Sequence, residues 1–190
     1  RLMLLPGRIR NIRFAEDNSS RATLWNAMPA NPGDLLNLRD IEQALENFKR
    51  VPTAEADIQI VPAEGVDAQP GESDVLIHWK QKLPLRLSLS LDDSGSESTG
   101  KYQGNVALSL DHLLTLNDLF YISYNHDLGG GHPGSRGSEG HTLHYSLPYG
   151  YWQLGVTASE YDYHQSVAGA NQNYIYSGRS SNGEVRLSRL

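Results

Sequence analysis

From Leu83 to Gly95 the chain reads Leu-Pro-Leu-Arg-Leu-Ser-Leu-Ser-Leu-Asp-Asp-Ser-Gly. Leu85, Leu87, Leu89 and Leu91 alternate with Arg86, Ser88, Ser90 and Asp92. Side chains two apart on a strand share a face, so this pattern makes one face apolar and the other polar. The stretch marks a joint between two architectures. Before it the sequence reads as a compact α+β domain; after it every hydrophobic segment alternates, and Gly, Ser, Asn and Tyr become frequent.

Leu85 to Asp92 is the first of six alternating segments. The second, Lys101 to Leu110, opposes Tyr102, Val106, Leu108 and Leu110 to Lys101, Gln103, Asn105 and Ser109. The third, Leu119 to His126, groups Phe120, Ile122 and Tyr124, and the fourth, His141 to Leu147, groups Leu143, Tyr145 and Leu147. The fifth starts at Trp152 with Leu154, Val156 and Ala158 and runs to about Val167; the last runs from Tyr174 to Val185 and Leu187. The connections 93–100, 127–140 and 168–173 are polar and Gly-rich, whereas 111–118 and 148–151 are shorter or more apolar. By strand parity the three polar loops share one end. Outer-membrane barrels have this asymmetry, with long outer loops and short periplasmic turns. Tyr145, Tyr149, Tyr151 and Trp152 would then form part of a periplasmic aromatic girdle.

Upstream, Arg1 to Leu5 reads as the end of a preceding element and Arg8 to Phe14 as a strand, with Ile9 out of phase, which leaves a bulge or a weak register open. Asp17 to Ser20 offers N-cap oxygens for a short helix over Arg21 to Met28, ended by Pro29 and Pro32-Gly33. Asn37 caps a second helix. In it Leu38, Ile41, Leu45 and Phe48 form one apolar stripe predicted to pack in the core, and Glu46 can pair with Arg50. Strands are expected over Ala56 to Val61, with Ile58 and Ile60 inward, and Ser73 to Lys80, with Val75, Ile77 and Trp79 inward. The order is β-α-α-β-β.

No run reaches the roughly 18 to 20 apolar residues of a membrane helix, which says nothing against a barrel, whose strands need about 9 to 11 alternating residues. The mean hydropathy of -0.48 is equally neutral on this point. With no Cys there is no disulfide or thiolate metal site, and a net charge of -6 without a basic cluster argues against nucleic acid. Enzyme-like features dissolve on inspection. Asp92 and Asp93, like His141 and His144, project to opposite faces of a strand and converge poorly. His126 and His132 belong to or border a loop, and Gly129-Gly130-Gly131 lacks the strand-then-helix setting of a phosphate loop. No cofactor, metal or catalytic group is expected.

A series of segments carries a family resemblance: Leu35-Leu36-Asn37-Leu38-Arg39-Asp40-Ile41-Glu42-Gln43, Asn47-Phe48-Lys49-Arg50-Val51-Pro52 and Asp57-Ile58-Gln59-Ile60-Val61-Pro62. It continues with Leu91-Asp92-Asp93-Ser94-Gly95, Thr99-Gly100-Lys101-Tyr102-Gln103-Gly104, Asn117-Asp118-Leu119-Phe120-Tyr121 and Tyr145-Ser146-Leu147-Pro148-Tyr149-Gly150-Tyr151-Trp152. In this order they resemble the outer-membrane transporters of two-partner secretion, the TpsB or haemolysin-activator type. The resemblance implies that residues 7–82 form an α+β POTRA domain, the family's second, and that residues 83–190 supply the first strands of an antiparallel transmembrane β-barrel. Residues 1–6 would end a preceding element. It also implies a monomeric translocator that passes a secreted TpsA-type client, an adhesin, haemolysin or contact-dependent toxin, across the outer membrane. Six strands are too few to close a single-chain barrel, which takes about eight or more, so the chain is expected to be part of a longer one.

Two sets of site residues follow. The POTRA edge strand Asp57, Ile58, Gln59, Ile60 and Val61 is the expected client contact, because an unfolded chain can add a strand to an open sheet edge with little sequence demand. Arg86, Lys101, Gln103 and Asn105 face the pore if the leucines meet outer-membrane lipid. The competing architecture is a secreted binding module, an α+β domain joined to a β-sandwich, whose apolar face a second sheet would cover.

Overall fold

A computed structural model describes residues 6–16, 18, 21–130 and 136–190. Arg1 to Leu5, the cap candidates Asp17, Ser19 and Ser20, and the loop residues Gly131 and His132 lie outside the described residues.

Burial of one helix face organises the first half. The elements are β1 (Arg8–Phe14), α1 (Leu38–Lys49), β2 (Ala54–Pro62) and β3 (Glu72–Gln81), with sheet order β1-β3-β2. β1 runs parallel to β3 and β2 antiparallel to it, and the register of β1 shifts between Ile9 and Asn11, where Ile9 is out of phase. Asn37 caps α1, its Oδ1 accepting the Arg39 N–H at 3.1 Å. Ile41, Ala44 and Phe48 of α1 meet Ile9, Val75, Ile77 and Trp79, all buried. The Phe48 ring lies edge-on to Phe14.

The buried face of α1 is rotated from the predicted stripe. Leu38 is 63% exposed, and Gln43 and Asn47 are buried in place of a fully apolar row. The second half of the molecule is the cause, since it covers the Asn47 side of the helix. The same contact overturns the expected helix over 21–28. This segment holds only turns, with the Ala27 and Met28 N–H groups both donating to the Leu24 carbonyl. Polar groups of Arg21, Thr23 and Asn26 bond across to residues 112–117 and 148–150, partners a helical backbone would forgo. Ile60, predicted inward, is 38% exposed near the far end of β2.

The second half is one antiparallel meander of six strands in sequence order: β4 (Leu85–Asp92), β5 (Gln103–Asp111), β6 (Leu119–Asp127), β7 (Gly137–Tyr149), β8 (Trp152–Ala168) and β9 (Asn173–Arg189). Register places Leu87, Leu108, Ile122, Leu143, Ala158 and Gly183 in one row and Leu85, Leu110, Phe120, Tyr145, Val156 and Val185 in the next. Both rows lie on one face. Further out, the rows remain apolar on β4 but become His141, Glu160 and Ser181, then Glu139, Asp162 and Arg179, on β7 to β9. The apolar band therefore drifts toward the turn end across the sheet, as it does when strands are tilted to the membrane normal. β8 and β9, 17 residues each, extend about 58 Å and overshoot the band.

No second sheet covers this face among the described residues, and Leu87, Leu89 and Leu91 are 63–78% exposed. The second sheet that a sandwich within these residues requires is not what this face meets.

Candidate functional site

Three features sit where function is expected: an open strand edge, a polar wall, and the junction that joins them.

β3 is the central strand, so among the described residues β2 has a strand partner on one side only. The outer edge of β1 is partly filled by the chain at 33–36: Ile9 N–H donates to Asp34 O at 2.9 Å, Gly33 N–H to Ile9 O at 2.7 Å and Leu36 N–H to Gly7 O at 2.9 Å. β2 is thus the edge left open. Asp57 and Gln59 project to the exposed face, Ile58 packs against the core, and Ile60 and Val61 lie toward the distal end. Asp57 supplies the charge that edge strands carry against self-association.

On the wall, Arg86, Gln103 and Asn105 share the face opposite the leucines. Two of the three are engaged by neighbours. Arg86 makes a bidentate pair with buried Asp111, both contacts 2.9 Å, and Gln103 donates to Gly100 O at 2.8 Å and to Ser138 Oγ at 3.3 Å. Asn105 lines a cleft with Asp92, Asn125 and Tyr161. Lys101 departs from expectation: it sits in the bend before β5, because the Tyr102 and Leu128 backbones turn on each other at the outer end of the strands. Asp92, His141 and His144 make local contacts. Asp92 Oδ1 accepts the Ser94 N–H at 2.9 Å in a side-chain turn, and His144 Nδ1 meets Thr157 Oγ1 at 2.8 Å with Tyr121 stacked on its ring. His141 stacks on Tyr124 on the opposite face.

The junction carries the least expected chemistry. The β5–β6 turn, 112–118, holds three non-glycine residues at positive φ: His112 at 60°, Thr115 at 60° and Asn117 at 53°. Such backbone persists only where the surroundings over-determine it. Here fully buried Asp118 gathers the N–H groups of Leu114 and Leu116, and His112 Nδ1 accepts the Asn117 N–H at 2.9 Å. His112 Nε2 is therefore the protonated nitrogen and donates to Arg21 O at 2.8 Å. Its ring packs on Trp79 at 4.9 Å. Burial holds the His112 pKa below the usual imidazole range; the Arg21 carbonyl and the Asp118 charge oppose the shift without reversing it.

Around this turn the α+β domain closes in. Arg21 donates to His112 O at 2.7 Å, Thr23 Oγ1 donates to Thr115 O, and buried Asn26 donates to Leu116 O at 2.6 Å and Pro148 O at 3.2 Å. Asn117 Nδ2 returns bonds to Thr23 O at 3.0 Å and Asn26 Oδ1 at 2.9 Å. At the β7–β8 turn, Gly150 with φ +55° opens a two-residue hairpin loop; its N–H donates to Asn26 O and its carbonyl accepts from Asn47, both 2.8 Å. Arg50 does not pair with Glu46. It reaches Asn117 O and Ser146 O at 3.2 Å and Ser146 Oγ at 2.9 Å; burial lowers its pKa against the pull of Asp118, and the guanidinium stays charged. Tyr151, predicted in the girdle, instead donates to Asp40 on α1 with Arg39 over its ring. Sequence reasoning missed this network. Its signal was present as Asn26 and Asn47 among apolar neighbours and as the Asp-His…Asn-Asp bracket of the turn at 111–118.

A β-α-β-β domain docked through its helix onto the short turns of an alternating, lipid-faced antiparallel sheet defines an outer-membrane protein of POTRA-plus-barrel type. A POTRA domain model matches residues 8–62, and the model of the haemolysin secretion/activation proteins ShlB/FhaC/HecB matches residues 71–190. The chain belongs to the ShlB/FhaC/HecB family. Outer membrane transporter CdiB-2 of Burkholderia pseudomallei is 42% identical over 190 residues, 100% of this chain and 32% of that protein. The structure of CdiB from Escherichia coli superposes with a TM-score of 0.83 at 30% identity over 97% of this chain and 33% of that one. BamA from Haemophilus ducreyi lacking POTRA domains 1-3 shares the fold, with a TM-score of 0.61 at 19% identity over 94% and 32% of the two chains. The chain thus spans about a third of the length of these relatives.

Proposed function

We propose that this chain is the client-receiving and barrel-initiating part of a two-partner secretion translocator. Residues 7–82 receive an unfolded TpsA-type client in the periplasm, and residues 83–190 begin the barrel through which it leaves. The observation that carries this reading is the open β2 edge on a domain bonded directly to both short turns of the sheet. A client strand added at Asp57 to Val61 gains main-chain hydrogen bonds and is held at a fixed position beside the barrel mouth. The work is binding and guidance, and it needs no catalytic group. The polar face bearing Arg86, Gln103 and Asn105 offers the client a hydrated wall. A single-chain barrel pairs its own edges, so one copy suffices to form the pore, and we read the translocator as a monomer.

The test uses alternation along β2. Successive N–H groups point by turns toward β3 and toward the open edge. In the intact translocator, Gln59→Pro and Ile60→Pro each delete one of the two kinds. The variant that loses the outward N–H is expected to cut secretion of the cognate client into the medium at least tenfold with the domain still folded by circular dichroism. The other breaks the ladder and unfolds the domain. Wild-type secretion from the folded, outward-deleted variant would rule out strand addition here.

A further inference from the structure

The outermost row at the turn end of the apolar face is Tyr149, Trp152 and Arg189, paired in register. It directly continues the row Leu147, Leu154 and Leu187, so the two aromatics stand at the lower border of the lipid-facing band. Tyr149 is 58% and Trp152 42% exposed, and the Arg189 guanidinium lies 5.7 Å over the Trp152 ring. Rings and cations in this place mark a headgroup boundary.

A third ring joins them from the other domain. Trp25 stands edge-on to Tyr149, centroids 6.0 Å apart at 61°, and is 63% exposed. It cannot fold away. The next residue, Asn26, is fully buried and bonded to Leu116 O, Pro148 O and Asn117, and its carbonyl accepts the Gly150 N–H. The junction thereby presents the largest apolar side chain of the 21–28 segment outward, at the border of the band. Leaving an indole in water is costly when an interface that takes its ring and its N–H lies alongside.

We propose that Trp25 extends the aromatic girdle onto the POTRA domain and seats that domain on the phospholipid headgroups of the facing membrane leaflet. The proposal rests on the barrel reading, because the occupant follows from continuity with the lipid-facing band. The indole ring lies among the upper acyl carbons and glycerol esters, its N–H donates to an ester or phosphate oxygen, and Arg189 pairs with phosphate. The domain is then fixed twice, by the polar junction and by lipid, which sets the direction of the β2 edge relative to the membrane.

The experiment places a bimane probe at Trp25→Cys, Trp152→Cys or Val66→Cys in the intact translocator, reconstituted in phosphatidylethanolamine–phosphatidylglycerol vesicles with and without lipid doxyl-labelled near the headgroup. Val66 is fully exposed in the β2–β3 loop, a strand length of about 30 Å from the junction. Quenching at position 25 is expected to match that at 152 and to exceed that at 66 at least threefold. Quenching at 152 with position 25 no higher than 66 would overturn the Trp25 contact and leave the barrel standing. Absence of quenching at both 25 and 152 would overturn the membrane placement and the proposal together.

Discussion

Asn26, Asn47, Arg50, His112 and Asn117 join the two domains through backbone carbonyls of tight turns. Their value lies in what their loss would strand. Removing one partner of a buried hydrogen bond leaves the other desolvated and unpaired, which costs about 1–3 kcal/mol per group. Asn26→Ala would leave the Leu116 and Pro148 carbonyls and Asn117 Nδ2 each short of a partner. It is expected to lower stability by roughly 3 kcal/mol, read as a shifted denaturation midpoint with an intact barrel. His112 adds a pH dependence with a definite sign. Its folded pKa lies below its unfolded value near 6.5, so below that pH the unfolded chain binds the extra proton more readily. The stabilisation is fully present above about pH 6.5 and is lost as pH falls through the depressed folded pKa. Burial disfavours the charged ring, and a proton on Nδ1 would also face the Asn117 N–H. The amide protection factors of residues 112–118, with the intrinsic pH dependence of exchange divided out, are expected to fall between pH 7.5 and 5.5, and His112→Asn, which tolerates positive φ, to flatten that profile.

At the scale of elements, α1 works on two sides. Ile41, Ala44 and Phe48 cement it to its own sheet, while Asn47 and the C-terminal Arg50 grip the barrel turns. Phe48→Ala is expected to cost about 3–5 kcal/mol by opening a cavity beneath Trp79, and thermal melting of the POTRA domain would report it. β4 tests the other architecture. Leu87 and Ser88 are neighbours on opposite faces, so one charge has two consequences. Leu87→Arg places a cation in the apolar band and is expected to destabilise the folded barrel by about 2–4 kcal/mol, whereas Ser88→Arg on the polar face is near neutral. Equal effects in refolding titrations into lipid would contradict the assignment of faces.

For the whole molecule, the junction joins the domain that bears the open β2 edge to the six-stranded sheet through direct hydrogen bonds. Much of this was legible in the sequence. Period-two alternation fixes a strand and its faces together, so all six barrel strands, including Leu85–Asp92 and Leu119–Asp127, could be read from local pattern. The core strand Val75, Ile77 and Trp79 and the Asn37 cap were equally local. The segment at 21–28 and the outward turn of Leu38 were not, because their conformations answer to partners about 90 to 120 residues away, as in the bonds of Asn26 to Leu116 and Pro148. Nor could the sequence say that Arg50 would leave Glu46 for Ser146, or that Trp25 would meet Tyr149. Hydrophobic period and capping act over a few residues and are written into the chain. The pairing of buried polar groups depends on which surfaces meet, and only the tertiary structure decides that.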